Sequence, residues 1–142
     1  MTEPSPSQWF HYRVYWEDTD AGGVMYHARY LNFFERARSD YLLALGCPQV
    51  ELKEQTGRLF VVTHASTDYF SPARLEDELA VSVRVEHIKP ASMVFVQTIE
   101  RQGAAPLTLA SARVGVACLD AARFKPARLP DKVVTAIKQH IG

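Results

Sequence analysis

The chain has only two cysteines in 142 residues, Cys47 and Cys118, and they lie far apart. Two are too few for a disulfide framework, and no Cys-x-x-Cys or Cys/His spacing points to zinc. Net charge is also missing, because 16 Lys and Arg balance 16 Asp and Glu. A nucleic-acid-binding domain carries a basic surplus, so that class is disfavoured. No apolar run approaches the ~20 residues that span a bilayer. Neither a Walker phosphate loop nor a Gly-x-Ser-x-Gly elbow occurs, which argues against phosphate-loop and serine-hydrolase chemistry. Residues 1–8 are polar and include Pro4 and Pro6, so they read as neither a signal peptide nor a lipid anchor. The expectation is a cytoplasmic, metal-free protein with a flexible segment at 1–9 and a single domain at 10–142.

What is present is enough apolar material for a real core: 47% of residues are hydrophobic and 23% charged. The charge is unevenly spread. From residue 123 on, Arg123, Lys125, Arg128, Lys132 and Lys138 stand against Asp131 alone. A solvated tail is the plainer reading, and contact with a small polyanion is the functional one.

Residues 9–16 (WFHYRVYW) are aromatic and β-prone, and predict a first strand. Residues 17–23 (EDTDAGG) predict a turn. A long helix should follow over about 27–45, because Tyr30, Phe34, Ala37, Tyr41 and Leu45 recur at three- and four-residue steps. Gly46 and Pro48 would end it. Arg36 and Arg38 on this helix are expected to pair with Glu35, Asp40 or a partner's carboxylates. Residues 49–55 read as a short helical or irregular piece. Four β segments come next, at about 59–70, 79–86, 93–101 and 107–119, with turns at 89–92 and 103–106. A closing helix is expected at 130–141. This order is α+β and antiparallel, since no crossover helices separate the strands. A five-stranded sheet can bury such a helix only by curving round it. Long strands also leave edges that a second copy would cover, so an oligomer is expected.

The densest functional candidate is EDTDAGGVMYH, residues 17–27, lying between strand and helix. Three acids within four residues are costly to place together unless something uses them. Glycines let backbone approach a ligand closely. The helix start behind them offers unpaired N–H groups and the positive dipole end, suited to a developing oxyanion. A carboxylate beside such a site can act as base or nucleophile. A plainer reading has Asp18, Thr19 and Asp20 merely build the turn and cap the helix. A third has Asp18, Asp20 and His27 hold a metal, although the calcium-loop pattern fails. His11, His64 and His87 show no constellation and read as strand residues, and His140 as tail.

The run RVYWEDTDAGGVMYHARYLNFFERAR, residues 13–38, closely resembles the signature of the hotdog-fold acyl-CoA thioesterases of the 4-hydroxybenzoyl-CoA thioesterase superfamily. More narrowly it is similar to the branch associated with the bacterial Tol–Pal system. The likeness continues through DYFSPARLEDEL (68–79) and FKPARLP (124–130). It implies the hotdog fold, a curved antiparallel five-stranded sheet wrapped round one long helix. It implies hydrolysis of an acyl-CoA to a free acid and coenzyme A, with no cofactor. Asp20 then matches the family's catalytic carboxylate and His27 the histidine of this branch, whose backbone N–H polarises the thioester carbonyl. Gly23 and Tyr26 would lie against the substrate, while Glu17 and Asp18 shape the turn. The family holds coenzyme A in a groove between subunits, which makes Lys89, Pro90, Ser92, Arg123, Lys125 and Arg128 candidates for its phosphates. A homodimer or homotetramer follows, as does peripheral association with a membrane complex. Rival functions are acyl-thioester hydration, which the EDTDAGGVMYH pattern disfavours, and non-catalytic binding of acyl-CoA or acyl-carrier protein.

Overall fold

A computed structural model describes residues 7–141. Strand β1 (Gln8–Arg13) leads through a short 3-10 turn (Trp16–Asp18) and a loop into helix α1 (Arg29–Ala44). Helix α2 (Gln49–Thr56), strands β2 (Arg58–Tyr69), β3 (Glu78–Lys89), β4 (Ser92–Arg101) and β5 (Leu107–Asp120), a two-residue strand β6 (Lys125–Pro126) and helix α3 (Asp131–Ile141) complete the chain.

All strand pairings are antiparallel, in the order β1-β3-β4-β5-β2, with β6 folding back on β5. The hotdog α+β expectation is met. The pairing slips at Val62/His64, Val85/His87 and Ile99/Glu100. Each extra residue bends and twists its strand, so the sheet can curl over α1 instead of lying flat. The helix fills the curl with Tyr30, Phe33, Phe34, Ala37, Tyr41 and Leu42, all buried. These meet Leu79, Val81 and Val83 from β3 and Met93, Phe95 and Ile99 from β4 in one core cluster. Leu129, Val133 and Ile137 bring the start of α3 into the same core.

Several boundaries differ from the sequence expectations. The helix begins at Arg29, not His27, and β1 ends at Arg13, three residues short of Trp16. The cause is local: Asp18 N–H bonds the Tyr15 carbonyl and Thr19 N–H the Trp16 carbonyl, closing a tight turn where a strand was expected. Residues 1–6 of the expected flexible segment lie outside the described residues. Gln8 and Trp9 do not belong to it, since they pair with Val83 and Ser82. The apolar stripe of α1 includes Phe33 and Leu42, and Leu45 falls past the last turn as its C-cap.

The β4 face carries a surprise. Gln97 sits between Phe95 and Ile99 on the inward side and is fully buried. Its Nε2 donates to the Phe34 carbonyl at 2.9 Å and its Oε1 accepts from Arg38 at 2.9 Å. A buried amide is tolerable only with such partners. Arg38 therefore hydrogen-bonds Gln97, while Glu35 acts on it through charge without a close ion pair. Arg36 lies 5.1 Å from the centre of the Phe33 ring, and Asp40 accepts the Tyr12 hydroxyl. Among the described residues no helix is long and apolar enough to cross a membrane.

Candidate active site

The loop between the 3-10 turn and α1 is a small hairpin of its own. Thr19 pairs with Met25, and inside that bridge Asp20 N–H bonds the Val24 carbonyl while Gly23 N–H bonds the Asp20 carbonyl. Gly23 takes φ +79°, a conformation that an L side chain rarely adopts. The Asp20 Oδ1 accepts the Gly22 amide at 2.8 Å, and a Cβ on Gly22 would stand 3.2 Å from that oxygen. The carboxylate is thus aimed by the loop while its residue stays exposed. Asp20, Gly23, Tyr26 and His27 all belong to this one unit.

Asp18 behaves differently from Asp20. It is 1% exposed, and its Oδ2 accepts the Tyr15 amide at 2.9 Å. Its backbone carbonyl accepts the Tyr26 amide at 2.9 Å, so one residue fastens both ends of the loop. Asp18 Oδ1 has no hydrogen-bond partner and lies 3.6 Å from Arg29 Nε. Arg29, the first residue of α1, also donates Nε and Nη2 to the Glu17 carbonyl. The shaping role expected of Glu17 and Asp18 has this physical form. The carboxylates of Asp18 and Asp20 serve separate amides, and among the described residues no group of three His, Cys, Asp or Glu could hold a metal ion.

The connection from β2 to β3 packs on the same loop. Met25 N–H bonds the Ala73 carbonyl, Val24 pairs with Arg74, and Ala73 N–H bonds the Tyr30 hydroxyl. Tyr69, at the end of β2, donates its hydroxyl to the His27 carbonyl at 2.9 Å and stacks edge-on against Tyr30. The Tyr26 and His27 rings lie 4.6 Å apart, centre to centre. No side chain caps the start of α1, and the Arg29 N–H is taken by the Tyr26 carbonyl at 2.8 Å. Arg29 and Tyr69 were not singled out from the sequence. Tyr69 is 42 residues from its partner, and no local pattern announces that contact.

The expected phosphate-binding residues lie elsewhere. Lys89, Pro90 and Arg128 line one shallow cleft with Lys138, named above only as part of the basic tail, and with Asp131. The Leu129 amide fastens that corner to the Pro90 carbonyl at 2.8 Å. Ser92 begins β4 opposite Ala117, and Lys125 on β6 pairs with Asp120 at the end of β5. Arg123 stands in the β5–β6 turn, where its amide bonds Asp120. That bond, with the Ala122 amide, holds the Asp120 carboxyl below its ordinary range. The Asp20 loop is tied to the Glu78 end of β3 through the bonds of Val14 to Asp77 and Glu76. Lys89 is at the other end of that 12-residue strand, roughly 36 Å away at about 3.3 Å per residue. Within one chain, the two halves of the expected site are not together.

Both cysteines are buried, and burial pushes each thiol up, away from the thiolate form. They are poor nucleophiles. The chemistry on offer is therefore an oriented carboxylate beside the positive end of α1, a pairing suited to attack on a polarised carbonyl.

Comparison with known proteins agrees. Residues 14–137 match the profile of the thioesterase-like superfamily. The chain is 46% identical over 127 residues to an acyl-CoA thioesterase YbgC of Haemophilus influenzae, covering 89% of this chain and 91% of that one. Among solved structures it superposes on a 1,4-dihydroxy-2-naphthoyl-CoA thioesterase from Synechocystis with a TM-score of 0.86 at 26% identity, covering 94% and 96% of the two chains. A probable thioesterase from Bartonella henselae gives a TM-score of 0.80 at 35% identity, covering 88% and 100%. With its curled sheet, its central helix and its oriented aspartate, the chain belongs to the thioesterase-like superfamily.

Proposed function

We propose that this protein is an acyl-CoA thioesterase, hydrolysing the thioester to a free carboxylic acid and coenzyme A. The observation that carries the proposal is the Asp20 carboxylate, held by the Gly22 amide at 2.8 Å in a loop that runs straight into the uncapped start of α1. The names of the relatives support the substrate class.

Asp20 is the reacting carboxylate. One oxygen is fixed by Gly22, and the other is left for chemistry, either to attack the thioester carbon or to draw a proton from the attacking water. Both routes need the ionised form. As the tetrahedral centre forms, charge grows on the former carbonyl oxygen. In this reading the His27 N–H receives it, helped by the positive end of the α1 dipole. The C–S bond then breaks, and the coenzyme A thiolate leaves and takes up a proton. Where water attacked, the free acid is already formed; where Asp20 attacked, water must then cleave the acyl–aspartyl anhydride, releasing the acid and restoring the carboxylate. Gly23 and Tyr26 flank the acyl group in this reading.

The working unit in this reading is a homodimer or a homotetramer. Strand β2 is an edge: it bonds β5 on one side and no strand on the other among the described residues. A second copy would cover that edge. It would also supply the Lys89, Pro90, Ser92, Arg123, Lys125 and Arg128 corner that one chain holds far from its own Asp20. The reading further places the protein in the cytoplasm, in the Tol–Pal-associated branch with peripheral contact to a membrane complex. The signature at residues 13–38 supports that branch. Thiol release measured over a panel of acyl-CoAs tests the proposal: steady turnover of at least one is expected. Tight acyl-CoA binding without thiol release would make the chain a binding module instead.

A further inference from the structure

We propose that Phe124 is a stacking platform for the adenine ring of coenzyme A. The inference rests on the thioesterase reading and adds a substrate-binding residue to it.

Phe124 stands between β5 and β6 at φ +55°, one of two non-glycine residues with positive φ among the described residues. It closes a single helical turn. Its N–H bonds the Asp120 carbonyl at 2.7 Å, and the Ala122 and Arg123 amides both bond Asp120 Oδ1 at 2.9 Å. The Ala121 amide bonds the Gly57 carbonyl at 2.8 Å, which fastens the turn to the chain just ahead of β2. A left-handed residue ending such a turn is ordinarily glycine or asparagine, because a larger side chain meets its own backbone there. Phenylalanine is the unfavourable choice, and burial recovers little of the strain. The residue is 65% exposed and lies outside the core cluster. Strain held in place by its surroundings is a mark of ligand clamps.

The charges round the ring select the ligand. Asp120 pairs with Arg58 on one side and with Lys125 on the other, so three strands set these side chains in one row. Arg123 stands in the turn itself. Asp120 is the acid among them, and its carboxylate already accepts two turn amides. Three cations against one acid, beside an exposed aromatic face, suit a flat base that carries phosphates. A simple anion would have no use for the ring, and an apolar partner none for the cations. The reach also fits. Arg128 lies four residues beyond Phe124 on an extended stretch, roughly 13 Å at about 3.3 Å per residue. The Leu129–Pro90 hydrogen bond then brings the chain to the cleft of Lys89 and Arg128. A nucleotide with its base on Phe124 can lay its phosphates along Lys125 towards that cleft.

The test compares wild type with Phe124→Gly, Phe124→Ala and Phe124→Trp on two substrates. One is the acyl-CoA that the wild type hydrolyses fastest; the other carries the same acyl group on N-acetylcysteamine, which has no nucleotide. The glycine and alanine variants should raise KM for the acyl-CoA about tenfold with kcat unchanged, as loss of one base–aromatic stack allows. Their kcat/KM on the N-acetylcysteamine thioester should match wild type, and Phe124→Trp should keep the wild-type KM for acyl-CoA. Thermal unfolding separates a structural role: Phe124→Gly relieves the left-handed strain, so it should melt at or above the wild-type temperature while still losing affinity. An acyl-CoA KM unchanged in Phe124→Gly, an equal loss on both substrates, a tryptophan variant no better than the glycine one, or a loss that comes with a lower melting temperature or a smaller oligomer overturns the platform. If no acyl-CoA is hydrolysed, the thioesterase reading falls separately. Calorimetric titration with coenzyme A then judges Phe124: binding about tenfold weaker in Phe124→Gly supports it, and equal binding or none rejects it.

Discussion

Asp18 Oδ1 lies 3.6 Å from Arg29 Nε, buried and without a hydrogen bond, at the point where the candidate loop meets the long helix. The pair holds the loop's entry against the helix start, with Asp20 and His27 between. Removing one partner leaves the other charge poorly matched.

Asp18→Ala should therefore destabilise the protein by about 2 kcal/mol, the range for stranding buried polar groups. Asp20→Asn should be close to neutral, because an amide oxygen can still accept the Gly22 N–H. Urea unfolding of the two variants measures the difference. Equal losses would mean that both aspartates only build the turn.

Tyr69→Phe removes the single hydroxyl that holds the His27 carbonyl and keeps the ring packed on Tyr30. Its effect should fall on kcat, by about tenfold, with KM little changed, since misaimed catalytic groups slow the chemistry more than binding. Steady-state kinetics on one acyl-CoA checks this. A rise in KM alone would make Tyr69 part of substrate binding.

How much of this was legible in the sequence follows from the range of the forces involved. The helix, the strands and the α+β class were readable because apolar periodicity is a local signal. The 3-10 turn at Trp16–Asp18 hid beneath an aromatic run that looks like continuing strand. Gln97 was passed over because a polar residue breaks an apolar alternation; only its bonds to Phe34 and Arg38, 63 and 59 residues away, explain its burial. The acidic loop stood out, yet nothing local told buried Asp18 from exposed Asp20. Resemblance assigned their roles, and the fold gave each its surroundings. Lys89 and Arg128 were named separately, and only the fold puts them in one cleft with Lys138.

If that basic cleft receives coenzyme A phosphates, KM should rise with ionic strength through screening. Lys89→Glu and Arg128→Glu should raise KM with little loss of kcat. Initial rates between low and physiological salt test both. A KM indifferent to salt and to charge reversal removes the cleft from the site.

The unpaired β2 edge and the separation of Asp20 from the Lys89 corner both call for a second chain. Light scattering at micromolar concentration should give the mass of a dimer or a tetramer. Particles of monomer mass would contradict the intersubunit site.

Asp20→Asn tests the central claim most directly. The substitution keeps size and the acceptor for Gly22 while removing the basicity that either route to hydrolysis requires. Thiol release from the best acyl-CoA should fall by about 10³-fold, equivalent to about 4 kcal/mol of barrier, while folding and coenzyme A affinity are retained. Hydrolysis at near wild-type rate would show that this carboxylate does not carry the reaction.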